Sequence, residues 1–163
     1  MKTNMEIKIV ETDQRLSDIL DNLLTRHGFK AYGKDKGKIF SLTYTIDGDY
    51  AREVIIKNFS EMHLIIDQGA RKKRYVETIL QGLKLKLKKF KARQLPHIHE
   101  TLIIGYLANN PKFAIITPVN MYYKSWNRVE RPVYILVSEN YNEIKALRNL
   151  FDKIFNLAKV IRI

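Results

Sequence analysis

The chain has 163 residues, 45% of them hydrophobic, and its 29 Lys and Arg against 17 Asp and Glu give a formal net charge of +12. That is enough apolar material for one proper core, and the absence of cysteine excludes disulfides, thiolate metal sites and cysteine nucleophiles. The opening "MKTNMEIKIVETDQ" has no apolar run of signal-peptide length, and no segment reaches the ~18 apolar residues of a spanning helix. A cytoplasmic protein is therefore expected.

Taken in chain order, Met5, Ile7 and Ile9 alternate with Glu6 and Lys8, the period of a half-buried strand. Thr12 or Asp13 can cap the helix that follows; Leu16, Ile19, Leu20, Leu23 and Leu24 form its stripe, and "RHG" closes it at Gly28. In "KIFSLTYTI", Phe40, Leu42, Tyr44 and Ile46 share a face, "DGD" reads as a turn, and "AREVIIKNF" returns the chain, which predicts a hairpin over residues 38–59. "MHLIID" adds a strand at 62–67. The next stretch, "GARKKRYVETILQGLKLKLKKFKAR", places Val76, Ile79, Leu80, Leu83, Leu87 and Phe90 within a helical arc of ~100°, favouring one helix of about 22 residues and ~33 Å. A strand starting after Gly82, following the alternation of "LKLKLKKF", is the alternative.

Pro96 stops that element. "ETLIIGYL" and "KFAIITPV" read as strands joined through "ANNP", and "RPVYILVS" as another. Ser138 or Asn140 can cap a last helix whose apolar face runs from Ile144 through Leu147, Leu150, Phe151, Ile154 and Phe155 to Leu157, and "KVIRI" closes the chain as an edge strand. With no repeat and no linker, the order β-α-β-β-β-α-β-β-β-α-β implies one α+β domain over residues 1–163. Its sheet is predominantly antiparallel and packs against about three helices; a boundary, if there were one, would fall near 94–98.

The charge is unevenly placed. Residues 1–66 carry a net charge of 0, residues 67–96 carry +8 and residues 97–163 carry +4. A merely solvated helix face mixes both signs, whereas residues 69–93 hold ten Lys and Arg against the single acid Glu77. This band predicts attraction to a polyanion: nucleic acid, DNA or RNA, first, with an acidic protein or an anionic membrane surface as alternatives. The expected phosphate contacts are Arg71, Lys72, Lys73, Arg74, Lys84, Lys88, Lys91 and Arg93, sequence-nonspecific because phosphate contacts position without reading. "MYYKSWNRVERP" adds a second candidate, in which Tyr122, Tyr123 and Trp126 interleave with Lys124, Arg128 and Arg131 as single-strand binders require.

An enzymatic alternative is a metal-dependent nuclease. Divalent-metal phosphodiester chemistry needs clustered carboxylates and a nearby cation, and Asp47, Asp49, Glu53 and Lys57 on the hairpin, with Asp67, offer them; Mg2+ is the only cofactor either reading implies. His97 and His99 could ligate a metal with His63 or Asp67, although no ligand spacing supports it and exposed histidines are the plainer reading. No phosphate-binding glycine loop or hydrolase elbow is present.

Residues 12–92, read as helix, three strands and helix, with "GARKKRY" at the start of the second helix, resemble the double-stranded-RNA-binding domain in element order. The alanine-rich second helix of that family is missing. The same order also resembles secretion-chaperone-like folds, which would imply protein binding, so the resemblance assigns no family.

Overall fold

The computed structural model describes residues 5–30 and 35–163. β1 (Glu6–Val10) turns Val10 into the core and leaves Ile7 and Ile9 on an open face. α1 (Leu16–Arg26) buries Leu16, Leu20, Leu23 and Leu24, and Gly28 follows it at φ 81°, the left-handed geometry that glycine adopts without strain. Neither Thr12 nor Asp13 caps α1. The residue before its first turn is Arg15, with no side-chain bond, because Glu11 and Gln14 close a local turn on each other first.

The hairpin expected over residues 38–59 does not form. β2 (Gly37–Thr43) leads into α2 (Gly48–Tyr50), which continues as a π-helix (Ala51–Ile56), and β3 (Glu61–Asp67) then pairs with β2 in parallel. Asp47 decides this: its carboxylate accepts the Tyr50 N–H at 2.7 Å, so the "DG" that reads as a turn begins a helix. Tyr50, Ala51, Ile55 and Phe59 enter the core at helical spacing, which prevails over the weak alternation of "AREVIIKNF". The resemblance to the double-stranded-RNA-binding domain goes with the hairpin, since strand, helix and strand stand where three strands were expected.

The basic stretch is likewise divided. α3 (Gln68–Arg71) and α4 (Arg74–Lys86) precede β4 (Lys89–Leu95), which pairs in parallel with β3. The single 22-residue helix is thus replaced by a 13-residue helix and a strand, and the strand begins later than Gly82. Leu87 is buried in extended geometry, and from Lys88 onward the backbone bonds along β3 instead of continuing the helix.

β5 (Thr101–Leu107) and β6 (Asn110–Thr117) form a hairpin through Ala108 and Asn109. A short helix absent from the sequence reading, α5 (Tyr123–Asn127), precedes β7 (Val133–Ser138). α6 (Tyr141–Leu157) is capped by Asn140, whose side chain accepts the Glu143 N–H at 3.0 Å, and β8 (Lys159–Val160) ends at a sheet edge.

Among the described residues eight strands lie in the order β1-β7-β6-β5-β2-β3-β4-β8, and of their pairings only β2–β3 and β3–β4 are parallel. The chain is therefore one α+β domain with a mainly antiparallel sheet, as its alternation predicts. α1, the π-helix, α4 and α5 cover one face, over Ile39, Leu64, Ile103 and Phe113; α6 covers the other, over Phe40, Ile65 and Ile104. Among the described residues no helix is long and apolar enough to cross a membrane.

Candidate nucleic-acid interface

The topology brings the carboxyl ends of β2, β3, β4 and β6 to one rim of the sheet, where β5 and β7 begin. Ligands of open sheets with parallel strands bind outside such ends. On this rim Asp67 closes β3. Its carboxylate, almost wholly buried, accepts the Gly69 N–H at 2.7 Å and the Ile98 N–H at 3.0 Å, tying α3 to the loop between β4 and β5. That loop holds His97 at a left-handed φ of 61° and buries Ile98, so that His97 and His99 both face solvent. Tyr44, Lys72, His97 and His99 surround a shallow depression of about 350 Å³ floored by Asp67.

A second segment reaches the rim through α5. Asp47, besides capping α2, accepts the Tyr123 N–H at 3.2 Å, and Ile46 bridges to Met121 in parallel. Trp126 is 1% exposed, packs edge-on against Tyr50 at 5.5 Å and donates its indole N–H to the Asn120 carbonyl, so its ring is closed to a ligand. Tyr123 is half-buried against the same core. Lys124, Arg128 and Arg131 are exposed around a depression of about 440 Å³. The Tyr122 hydroxyl is raised in pKa by burial and by its neighbour Tyr75 from α4.

The cations of the basic stretch have separate fates. Lys72, Lys73 and Arg74 are exposed on the carboxyl rim, and among the described residues none forms an ion pair; Arg71 beside them pairs with Glu77. Lys84 reaches the Ile163 carbonyl at 3.0 Å, and Lys86, Lys88 and Lys89 stand exposed at the opposite rim, ~20 Å away along α4. Lys91 is exposed on β4. Arg93 caps α6: it donates to the Phe155 and Ala158 carbonyls at 3.1 and 3.2 Å, and its guanidinium lies 4.5 Å over the Phe155 ring.

The carboxylates of the nuclease alternative are not gathered. Asp47 is taken up by backbone N–H groups, Asp49 pairs with Arg52, and Glu53 and Lys57 line a small cavity of about 110 Å³ with Asp21 and Lys30, while Asp67 belongs to the histidine depression. Among the described residues no group of three or more His, Asp and Glu is placed to hold a metal ion. His63 sits four residues before Asp67 on β3, ~13 Å along the strand, among Phe40, Phe155 and the cations Lys89, Lys91 and Arg148. Burial first, and then those cations, lower its pKa to about 4 against the opposing pull of Glu61.

Two exposed rings escape sequence reading. Tyr44 carries the core-facing phase of β2 past the end of the strand, and Tyr75 falls between charged and apolar positions of α4; only the topology shows that both stand at the rim.

No protein-family profile matches the chain, and no curated protein does. Solved structures do match. Nuc from Salmonella typhimurium, a phospholipase D family member, aligns at a TM-score of 0.66 and 11% identity, covering 98% of this chain and all of Nuc. NucT from Helicobacter pylori aligns at 0.66 and 10%, over 97% of this chain and all of NucT. TrmBL2, an archaeal chromatin protein described for its mode of DNA binding, aligns at 0.50 and 8%, over 95% of this chain and 54% of its own. The chain therefore shares the fold of phospholipase D family structures.

Proposed function

We propose that the protein binds nucleic acid and holds its phosphates along the carboxyl rim, with Lys72, Lys73 and Arg74 from one segment and Lys124, Arg128 and Arg131 from another. The observation that carries this reading is convergence: two exposed cation groups, far apart in sequence and without an ion pair among the described residues, stand on the same rim, each beside its own depression. Lys86, Lys88, Lys89 and Lys91 add to the long-range field from the far side. The likeness to TrmBL2, itself a DNA binder, supports the reading. Binding is nonspecific or weakly specific, because the rim offers cations to phosphates and no element shaped to enter a groove.

Fluorescence anisotropy with labelled duplex and single-stranded DNA and RNA across a salt series tests it. Changing Lys72, Lys73 and Arg74 together to Glu is expected to weaken binding at least tenfold and to lower the salt slope by roughly two to three, near one per lost phosphate contact. A wild-type protein that binds none of the four near physiological salt overturns the proposal.

A second reading, phosphodiester cleavage, is favoured by His97, His99 and Lys72 around one depression, since an imidazole can move protons at a phosphodiester without a metal. Fragment release that persists in EDTA and disappears in His99→Ala would establish it; intact substrate after prolonged incubation at stoichiometric protein would dismiss it.

A further inference from the structure

The carboxyl rim carries rings as well as charges. Tyr44 is 38% exposed and Tyr75 50% exposed, and the exposed His97 and His99 line the same depression as Tyr44. Tyr44 shares the depression with Lys72, and its hydroxyl lies close to Gly69, where a β-carbon would come within 3.8 Å of it. Tyr75 directly follows Arg74 and lies against Tyr122. The three cations at 72–74 therefore stand between two exposed tyrosines, giving the sequence ring, cations, ring across the α3–α4 turn.

Trp126, Tyr50, Phe29, Phe59 and Phe113 are at most 1% exposed, and another exposed tyrosine, Tyr141, begins α6 at the opposite rim with the Lys145 ammonium over its ring. A duplex stacks its bases inside and presents sugars and phosphates, for which surface rings do little. A single strand offers a base face at every nucleotide, and binders of single strands combine cations for the backbone with aromatic side chains for the bases.

We propose that the ligand of this rim is single-stranded nucleic acid, with bases stacked on Tyr44 and Tyr75 while Lys72, Lys73 and Arg74 hold the phosphates between them. The proposal rests on the nucleic-acid reading above and narrows it to one strand state. Stacking accepts any base, so preference among sequences is weak while preference for single strands is strong.

The test compares mixed-sequence single strands with the matching duplex at one salt concentration, for wild type, Tyr44→Ala with Tyr75→Ala, Tyr44→Phe with Tyr75→Phe, and the triple Glu variant of residues 72–74. Wild type is expected to bind single strands at least tenfold more tightly than duplex. The double Ala variant loses roughly tenfold or more per ring on single strands and changes within twofold on duplex, the double Phe variant retains binding, and the charge reversal loses both ligands. Both tyrosines are surface residues, and circular dichroism checks that the variants are folded. Equal wild-type affinity for the two strand states, or an equal loss on both ligands in the double Ala variant, overturns the inference and leaves the nucleic-acid reading standing. Failure of wild type to bind either ligand removes that reading, and this one with it.

Discussion

Replacing Asp67 by alanine probes whether one carboxylate organises the carboxyl rim. The residue is 7% exposed and bonds Gly69 N–H through one oxygen and Ile98 N–H through the other. Losing the first removes the N-cap of α3, at about 1 kcal/mol. Losing the second leaves a buried amide without a partner, at about 1–3 kcal/mol. The total of ~2–4 kcal/mol, at ~2–4 °C per kcal/mol for a domain of this length, corresponds to a fall in Tm of about 5–15 °C. Asn keeps a carbonyl for one of the two donors and should lose about half as much. Thermal unfolding followed by circular dichroism measures both. A Tm for Asp67→Ala within about 1 °C of wild type would mean that the loop carrying His97 and His99 is held by something other than this carboxylate.

Two glycines should respond with opposite signs. A β-carbon at Gly105 would lie 2.4 Å from the ring of fully buried Phe113, so Gly105→Ala is expected to destabilise by at least the ~1–3 kcal/mol of an overpacked core. At Gly82 it meets nothing within 4 Å, so Gly82→Ala in the middle of α4 should stabilise by up to ~1 kcal/mol; urea unfolding of the pair decides both. His63 gives a pH prediction. With a folded pKa of about 4 against an ordinary 6.5, the unfolded chain takes up the proton first, so stability is complete above pH ~6.5 and falls as the pH drops towards 4. His63→Phe should flatten that segment of the stability profile, and the ring's NMR titration midpoint should lie near 4. Arg93→Gln should lower stability by ~1–3 kcal/mol through loss of the α6 cap while leaving the salt slope of nucleic-acid binding unchanged, which separates this cation from those at 72–74.

What could be read from the sequence depended on whether a local pattern had one physical meaning. The stripe of α1, the β5–β6 hairpin and the Asn140 cap of α6 were legible because periodicity and turn chemistry agreed there. "IDGDYAREVII" was not, since Asp-Gly serves a hairpin turn and a helix start equally well, and the choice rests on Tyr50 and Ile55 reaching a core assembled from distant strands. The break after Lys86 was hidden for a similar reason: Leu87 and Phe90 suit a helical stripe, and only the open edge of β3 draws them into a strand. The basic band was visible, but its division was not. Arg93 reads like Lys91 in sequence, yet one caps a helix and the other meets solvent, because β-strand alternation and the end of α6 are set by tertiary structure. Lys124 and Lys72 belong to one rim only through the crossing order of the strands.

The outer edge of β4 has a consequence for handling as well as for binding. β8 pairs with it only at Arg93 and Gln94, and the Ile161 N–H bonds to the Ala92 carbonyl, so among the described residues Lys89 to Lys91 pair with β3 on one side and have no strand on the other. An open edge of that kind is a template for a neighbouring molecule's backbone, and lysines are what keep such edges apart. The same ammonium groups thus act as colloidal guards whether or not they ever meet a phosphate. Replacing Lys88, Lys89 and Lys91 by alanine should therefore produce a protein that precipitates on concentration, whereas glutamates at the same places, still charged and mutually repelling, should keep it dispersed.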